Sequence, residues 1–272
     1  MNPEIATDSG LQILPLPAFR DNYIWLLRCG QFAALVDPGE ASVALATLAA
    51  EGLALVAILL THHHQDHVGG VEEIQRQLPS GSNIPVFGPK LENISCVNRP
   101  LIDGERVDLP EFQLSFEVIA VPGHTRGHIA YYGRKLLGCG ALFCGDTLFA
   151  CGCGRLFEGT PLQMWQSLGR LAALPAATRV YCAHEYTAAN IRFALAVEPD
   201  NCALVERAAQ VGRLREADLP TVPSTIGLEL ATNPFLRCEL PSLLAAAENH
   251  SGRRPPDAAA SFAAIRAWKD KF

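Results

Sequence analysis

THHHQDHVGG, residues 61–70, packs four of the chain's eight histidines and an aspartate into six consecutive positions, directly behind the apolar run LALVAILL (53–60). The run reads as a buried strand, Leu55–Leu60, that delivers the chain to a turn at Thr61. Gly69-Gly70 and the following VEEIQRQL (71–78) predict a helix that begins just after His67. Polar groups emerging where a strand ends and a helix starts can share one cleft while the apolar run anchors them. On an extended backbone His62 and His64 fall on one side and His63 on the other. Asp66 and His67 follow as a pair aimed at a second position. Such a set favours two neighbouring metals over one, and over the competing reading of an unusually polar loop. His63 reads as a supporting or packing residue.

A binuclear centre needs more ligands, and three further strand-like runs each end in one. PGHTRGH (122–128) presents His124, FCGDTLF (143–149) presents Asp146, and YCAHEY (181–186) presents His184. Taken alone, Asp146 is as readily a turn cap; the recurrence at strand ends carries the metal reading. His128 is expected in a structural hydrogen bond. His250, within the polar ENHSGRRPP (248–256), is expected at the surface.

The rest of the composition suits an enzyme-sized globular protein. The chain has 272 residues, 49% hydrophobic and 18% charged, enough for a sizeable core. A formal net charge of −6 argues against nucleic-acid or membrane-surface partners. The longest strongly apolar run falls far short of the roughly 20 residues of a membrane-spanning helix. MNPEIATDSG (1–10) has no secretory pattern. Nine scattered cysteines then read as reduced thiols in a cytoplasmic protein, and the Cys151-x-Cys153 pair lacks a second pair for a zinc finger.

Short apolar runs alternate with helical patterns over the first two-thirds of the chain. Strands are expected at Leu11–Leu16, Tyr23–Arg28, Phe32–Val36, Leu55–Leu60, Val86–Phe87, Gln113–Ala120, Ile129–Tyr132, Ala141–Cys144 and Arg179–Cys182. Helices are expected at Ser42–Glu51, with Ser42 starting it, Val68–Leu78, Pro161–Ala173 and Ala188–Val197. Beyond about residue 185, alanine- and leucine-rich helical windows dominate: Leu204–Arg215, Ser242–Glu248 and Ala258–Asp270. The division expected is an α/β catalytic domain over 1–184 and a mostly helical substrate-binding domain over 185–272.

THHHQDH together with His124, Asp146 and His184 resembles the metallo-β-lactamase superfamily. Within it, VDPG (36–39), PGHTRGH, GDTLF, GCGRLFEG (152–159), HEYT (184–187) and RAWKDKF (266–272) are similar to the glyoxalase II, or hydroxyacylglutathione hydrolase, family. The resemblance implies an αββα four-layer sandwich followed by the helical domain. It implies His62, His64 and His124 on one divalent metal and Asp66, His67 and His184 on a second, with Asp146 bridging. The metals are expected to be zinc, with iron or manganese as alternatives. Asp37 is implied as a support that orients a ligand, against its reading as a turn aspartate before Pro38-Gly39.

The implied reaction is hydrolysis of S-(2-hydroxyacyl)glutathione thioesters, chiefly S-D-lactoylglutathione, the second step of methylglyoxal detoxification. Two metals sharing a water lower its pKa toward neutrality, and the hydroxide attacks the thioester carbonyl. Asp66 is implied to orient that hydroxide while also ligating. The resemblance assigns Arg155, Phe157, Tyr186, Arg266 and Lys269 to glutathione binding. Arg266 and Lys269 stand three apart in a helical window, so both can face one way. Many relatives carry lysine at the Arg155 position and tyrosine at the Phe157 position, so substrate affinity is where this chain departs. The only partner expected is the small glutathione thioester, with no obligate protein partner. Rival readings on the same scaffold are a one-iron persulfide dioxygenase, a di-iron redox protein and a β-lactamase.

Overall fold

The computed structural model describes residues 10–79 and 83–272; all but the last residue of the MNPEIATDSG segment lies outside them. Two six-stranded sheets pair face to face. The first runs in chain order through Leu11–Ala18 (β1), Asn22–Cys29 (β2), Phe32–Val36 (β3), Ala54–Leu59 (β4), Val86–Pro89 (β5) and Arg99–Leu101 (β6). It is antiparallel from β1 to β3 and parallel from β3 to β6. The second contains Arg106–Leu109 (β7), Leu114–Ala120 (β8), Ile129–Gly133 (β9) and Ala141–Gly145 (β10). Leu148–Phe149 (β11) and Gly152–Cys153 (β12) form a separate small hairpin. Arg179–Cys182 (β13) and Ser224–Thr225 (β14) then complete the second sheet, in the order β14-β13-β10-β9-β8-β7.

The period-2 alternation of strands shows directly in β2. Tyr23, Trp25 and Leu27 enter the core between the sheets, whereas Ile24 and Leu26 face a second core on the outer side. The helices Ser42–Glu51 (α1) and Val71–Gln77 (α3) cover that outer face with Ala44, Leu48, Val71 and Ile74. Between the sheets, the Trp25 indole N–H donates to the Cys182 carbonyl at 2.9 Å, and the ring meets Tyr181 edge-on at 4.9 Å. On the far side of the second sheet, Pro161–Ala172 (α4) buries Met164, Leu168 and Leu171. These four layers form the αββα sandwich. Truncating a side chain as buried as Trp25 to alanine costs about 3–5 kcal/mol.

The helices after α4 are Thr187–Val197 (α5), Cys202–Glu216 (α6), Ile226–Thr232 (α7), Pro241–Ser251 (α8) and Ala258–Lys269 (α9). Their segment is not purely helical, because β14 lies within it and pairs with β13. A buried ion pair, Arg207 to Glu229 at 2.6 Å, locks α6 to α7. Glu229 Oε2 also accepts the Cys151 N–H at 2.8 Å, and Asn233 donates to the Phe149 and Gly152 carbonyls. The helical region therefore grips the β11–β12 hairpin, which leads from Asp146 toward Arg155. Cys151 and Cys153 serve this packing: Cys151 touches Thr232, and Cys153 lies beside Arg266.

Local differences from the sequence expectation have physical causes. The helix expected over 68–78 is two, because Gln65–Val68 (α2) forms a single turn ahead of Gly69-Gly70. Asp66 and His67 thus sit on a helical turn rather than in the loop before one. At α1 the cap residue is Ala41, and the Ser42 hydroxyl donates to Glu40 at 3.0 Å instead of capping. Pro161 does occupy the first turn of α4, behind a Thr160–Gln163 capping box. β6, β7, β11, β12, β14 and α7 were not legible. β7 alternates exposed and buried residues, but only Val107 and Leu109 carry its apolar face.

Candidate metal centre

Four strand ends and one helical turn deliver the cluster. His62 and His64 follow β4, Asp66 and His67 lie on α2, His124 follows β8, Asp146 directly follows β10 and His184 follows β13. His62 Nε2 and His124 Nε2 approach His64 Nδ1 at 3.1 and 3.0 Å. On the neighbouring side, His67 Nε2 lies 3.6 Å from Asp66 Oδ2, and His184 Nε2 lies 3.5 Å from the same oxygen. Asp146 faces both groups: Oδ2 is 3.4 Å from His124 Nε2, while Oδ1 is 3.5 Å from His67 Nε2 and 3.3 Å from His184 Nε2.

These separations suit shared cations. Two nitrogens each about 2.0–2.1 Å from one tetrahedral zinc lie about 3.3 Å apart. Ligand atoms of His62, His64 and His124 cluster within 4.8 Å of one another, as do those of His62, His67 and Asp146 and those of Asp66, His67 and His184. His67 Nε2 and Asp146 Oδ1 are buried without a hydrogen-bond partner. Buried polar atoms are rarely left unpaired, so two orphans aimed into one cleft mark positions for ions. The donor set, nitrogen and carboxylate oxygen, fits divalent metals.

Electrostatics agree with that fit. Burial and the neighbouring histidines hold His62 well below the usual histidine range, which keeps its nitrogen free to ligate. Burial would raise Asp146, but the His67, His184 and His124 imidazoles outweigh it and hold the carboxyl well below its usual range. Burial would lower His67 and His184; instead Asp146, with Asp37 beside His67 and Asp21 beside His184, raises both, His184 to about 9, so the carboxylates make this side of the cleft favourable for positive charge.

Behind the cluster sits a layer of supports. Asp37 adopts φ +52°, a region rare for non-glycine residues though tolerated by aspartate. Its Oδ2 lies 3.1 Å from His67 Nδ1 and accepts from the Thr61 hydroxyl at 2.7 Å, and Thr61 Oγ1 in turn lies 3.1 Å from His62 Nδ1. Gly39 lets this loop close, since a Cβ there would meet the Asp66 carbonyl oxygen at 1.8 Å. The Arg155 carbonyl accepts from His124 Nδ1 at 2.9 Å, and a Cβ on Gly154 would meet the Asp146 carbonyl oxygen at 1.9 Å.

Sequence reasoning missed Asp21, Asn22 and Glu92. Asp21 Oδ1 holds His184 Nδ1 at 2.8 Å, and the Asn22 amide donates to Asp66 Oδ2 at 3.0 Å. Both lie at the β1–β2 hairpin, where no spacing signal links them to residues 66 and 184. Buried Glu92 accepts from His63 at 2.8 Å, from the Gly127 N–H at 3.1 Å and from the Thr125 hydroxyl. His63 is therefore turned away from the cluster, in a tether between the 61–67 and 122–128 loops. His128 Nδ1 donates to the Ile129 carbonyl at 3.0 Å, its Nε2 accepts from the Asp146 N–H at 3.2 Å, and its ring stacks on His62.

The expected substrate residues differ in setting. Tyr186 and Phe157 line the cleft with His64, Asp66, Asp146 and His184. Tyr186 stacks on His184 at 4.8 Å, whereas Phe157 is 63% exposed and edge-on to His124 at 5.2 Å. Lys269 is half-buried, with its ammonium over the Phe193 ring at 5.1 Å. Burial and the nearby Arg266, Arg192 and Arg155 lower its pKa to about 8. Arg266 does not face solvent beside it. At 4% exposure it donates to the Cys153 carbonyl at 3.0 Å and to Asp270 at 2.9 Å. His250, at the end of α8, is exposed and stacks on Trp268 at 4.1 Å.

Fold and ligand cluster together define the metallo-β-lactamase superfamily, whose family profile matches residues 18–82 and 97–184. A second profile, described as hydroxyacylglutathione hydrolase C-terminus, matches residues 185–272. The hydroxyacylglutathione hydrolase of Pseudomonas aeruginosa strain LESB58 is 55% identical over 265 residues, spanning 96% of this chain and 100% of that one. That of Cupriavidus metallidurans is 54% identical over 266 residues, spanning 96% and 99%. The chain belongs to the hydroxyacylglutathione hydrolase family. Among solved structures, TTHA1623 in a di-iron-bound form is similar at 29% identity and a TM-score of 0.56, covering 83% of this chain and 100% of that one.

Proposed function

We propose that the protein hydrolyses S-(2-hydroxyacyl)glutathione thioesters, chiefly S-D-lactoylglutathione to D-lactate and glutathione, as in methylglyoxal detoxification. The observation that carries the reading is the seven-ligand cleft with its two orphaned buried atoms, in a chain matched throughout to this thioesterase family. Residues 1–184 would hold the cleft and 185–272 would supply the mouth for glutathione.

His62, His64 and His124 would hold one metal and Asp66, His67 and His184 the other, with Asp146 shared between them. When bound, two divalent ions supply the positive charge that brings a water's pKa toward neutrality and polarises a carbonyl. Asp66, steadied by the Asn22 amide, orients the attacking water. Asp37 and Asp21 hold the His67 and His184 rings in ligating orientation. The water loses a proton to solvent as its oxygen adds to the carbonyl carbon, the C–S bond breaks, and the sulfur leaves as thiolate while the acid product gives up its remaining proton. A thiol with a pKa near about 8.5 leaves without a strong general acid. Tyr186, Phe157, Arg155 and Lys269 position the tripeptide. Arg266 acts from behind, holding the Cys153 backbone beneath that mouth.

Zinc is the metal we assign, because histidine and carboxylate donors suit it. Iron is the second reading, favoured by the similarity to a protein solved with two irons. The decisive experiment loads the metal-free protein with zinc, iron or manganese and follows loss of thioester absorbance alongside metal analysis. Turnover with two equivalents bound is expected; no turnover with any of the three metals sinks the thioesterase assignment.

A further inference from the structure

The turn between β1 and β2 carries an anomaly that the glutathione side of the cleft does not explain. Phe19 is 57% exposed and sits at φ +51°. A bulky aromatic at positive φ is a conformational outlier, and its exposure forgoes burial as well. The same turn is held rigidly, because Asp21 bonds His184 and Asn22 bonds Asp66. The Phe19 ring is thus presented from a fixed support two to three residues from groups that touch the metal ligands.

Phe19 lines a cavity of about 550 Å³ together with Ser42, Gln65 and the carboxylates of Glu40, Asp66 and Glu73. Gln65 and Asp66 also line the metal cleft, so the two spaces meet across the edge of α2. Phe157 and Tyr186 stand only on the metal-cleft side. A thioester whose carbonyl lies at the cluster and whose thiol portion runs past Phe157 and Tyr186 must send its acyl chain elsewhere. The cavity beyond Asp66 offers one aromatic wall and the carboxylates of Glu40, Asp66 and Glu73, which repel an anion and accept from a hydroxyl, a combination suited to an uncharged acyl group bearing an apolar substituent and a hydroxyl.

We propose that the Phe19 cavity is the acyl subsite and that Phe19 determines acyl-chain specificity, a proposal that rests on the thioesterase reading above. The test compares wild type, Phe19→Gly, Phe19→Asn and Phe157→Ala, all metal-replete, on S-acetyl-, S-D-lactoyl- and S-mandeloylglutathione. Glycine and asparagine both accept positive φ, so neither variant strains the turn. Expected is a fall of about tenfold in the mandeloyl-to-acetyl ratio of kcat/KM in both Phe19 variants, with metal content and melting temperature unchanged. Phe157→Ala is expected to raise KM by a similar factor for all three substrates. An unchanged ratio in the Phe19 variants, or a ratio governed by Phe157, overturns the proposal while leaving the thioesterase intact. A wild type inactive on all three substrates overturns both.

Discussion

At the metal cleft, seven side chains from four strand ends and a helical turn converge to ligand distances, and second residues hold His62, His67, His124 and His184 in place. At the neighbouring mouth, the cations are set very differently. Arg266 is buried and spent on Cys153 and Asp270, while Lys269 is half-buried with its pKa pulled down to about 8. The cluster's side chains are held in place by their neighbours, whereas Arg266 is already paired and Lys269 lies near three arginines whose charge, with burial, lowers its pKa. A catalytic centre has to be rigid, since small displacements of ligands are costly, whereas the proposed glutathione mouth rests on one paired arginine and one lysine whose charge is weakened by its surroundings.

Removing a ligand tests the rigid half most severely. Asp146→Ala deletes the carboxylate that faces both groups, and is expected to abolish turnover and reduce bound metal to below two equivalents by elemental analysis. His62→Ala should do the same to turnover. Retention of two metals in either variant breaks the assignment of a shared cleft. The supports come next: Asp37→Asn and Asp21→Asn are each expected to lower metal affinity by about 10–100-fold in chelator competition. An effect on KM alone would show that these residues serve substrate instead.

The mouth should respond in KM. Lys269→Ala is expected to raise KM about tenfold with kcat nearly unchanged, the loss of one charge-assisted contact. Arg266→Ala should raise KM too, but also lower the melting temperature, since it leaves the Cys153 carbonyl and Asp270 without their partner. Equal thermal effects in the two variants would erase the distinction between a contact and a bracket. The smallest effect is in pH. Because Lys269 is charged below about 8 and neutral above it, KM should rise as pH increases through that value in wild type and not in Lys269→Ala. A rise of equal size in both assigns the dependence to another group.

Much of the site was legible because its residues carry chemistry in their type. Histidine and aspartate at the ends of apolar runs are conspicuous, and His63 could be set apart from His62 and His64 by the two-residue period of extended chain. GCGRLFEG was readable as a motif, and Gly154 has a reason in the Asp146 carbonyl it must approach. Less legible were contacts between residues far apart in the chain. Asp21 to His184 spans 163 positions and Asn22 to Asp66 spans 44, and neither residue type is unusual in a hairpin. Glu92 looked like any loop glutamate until folding buried it between two ligand loops.

By itself, the sequence determined which atoms are available for chemistry and which runs form nine of the twelve strands in the two sheets, because residue type and apolar periodicity are local properties. Family-level motifs extended that to the helical region. Tertiary structure decided how the parts are used. It put Asp66 and His67 on a turn of helix, moved Arg266 from a free cation to a buried bracket, and placed an exposed Phe19 at the cleft's edge. These outcomes depend on burial and on partners distant in sequence, and both exist only once the two sheets have closed on one another.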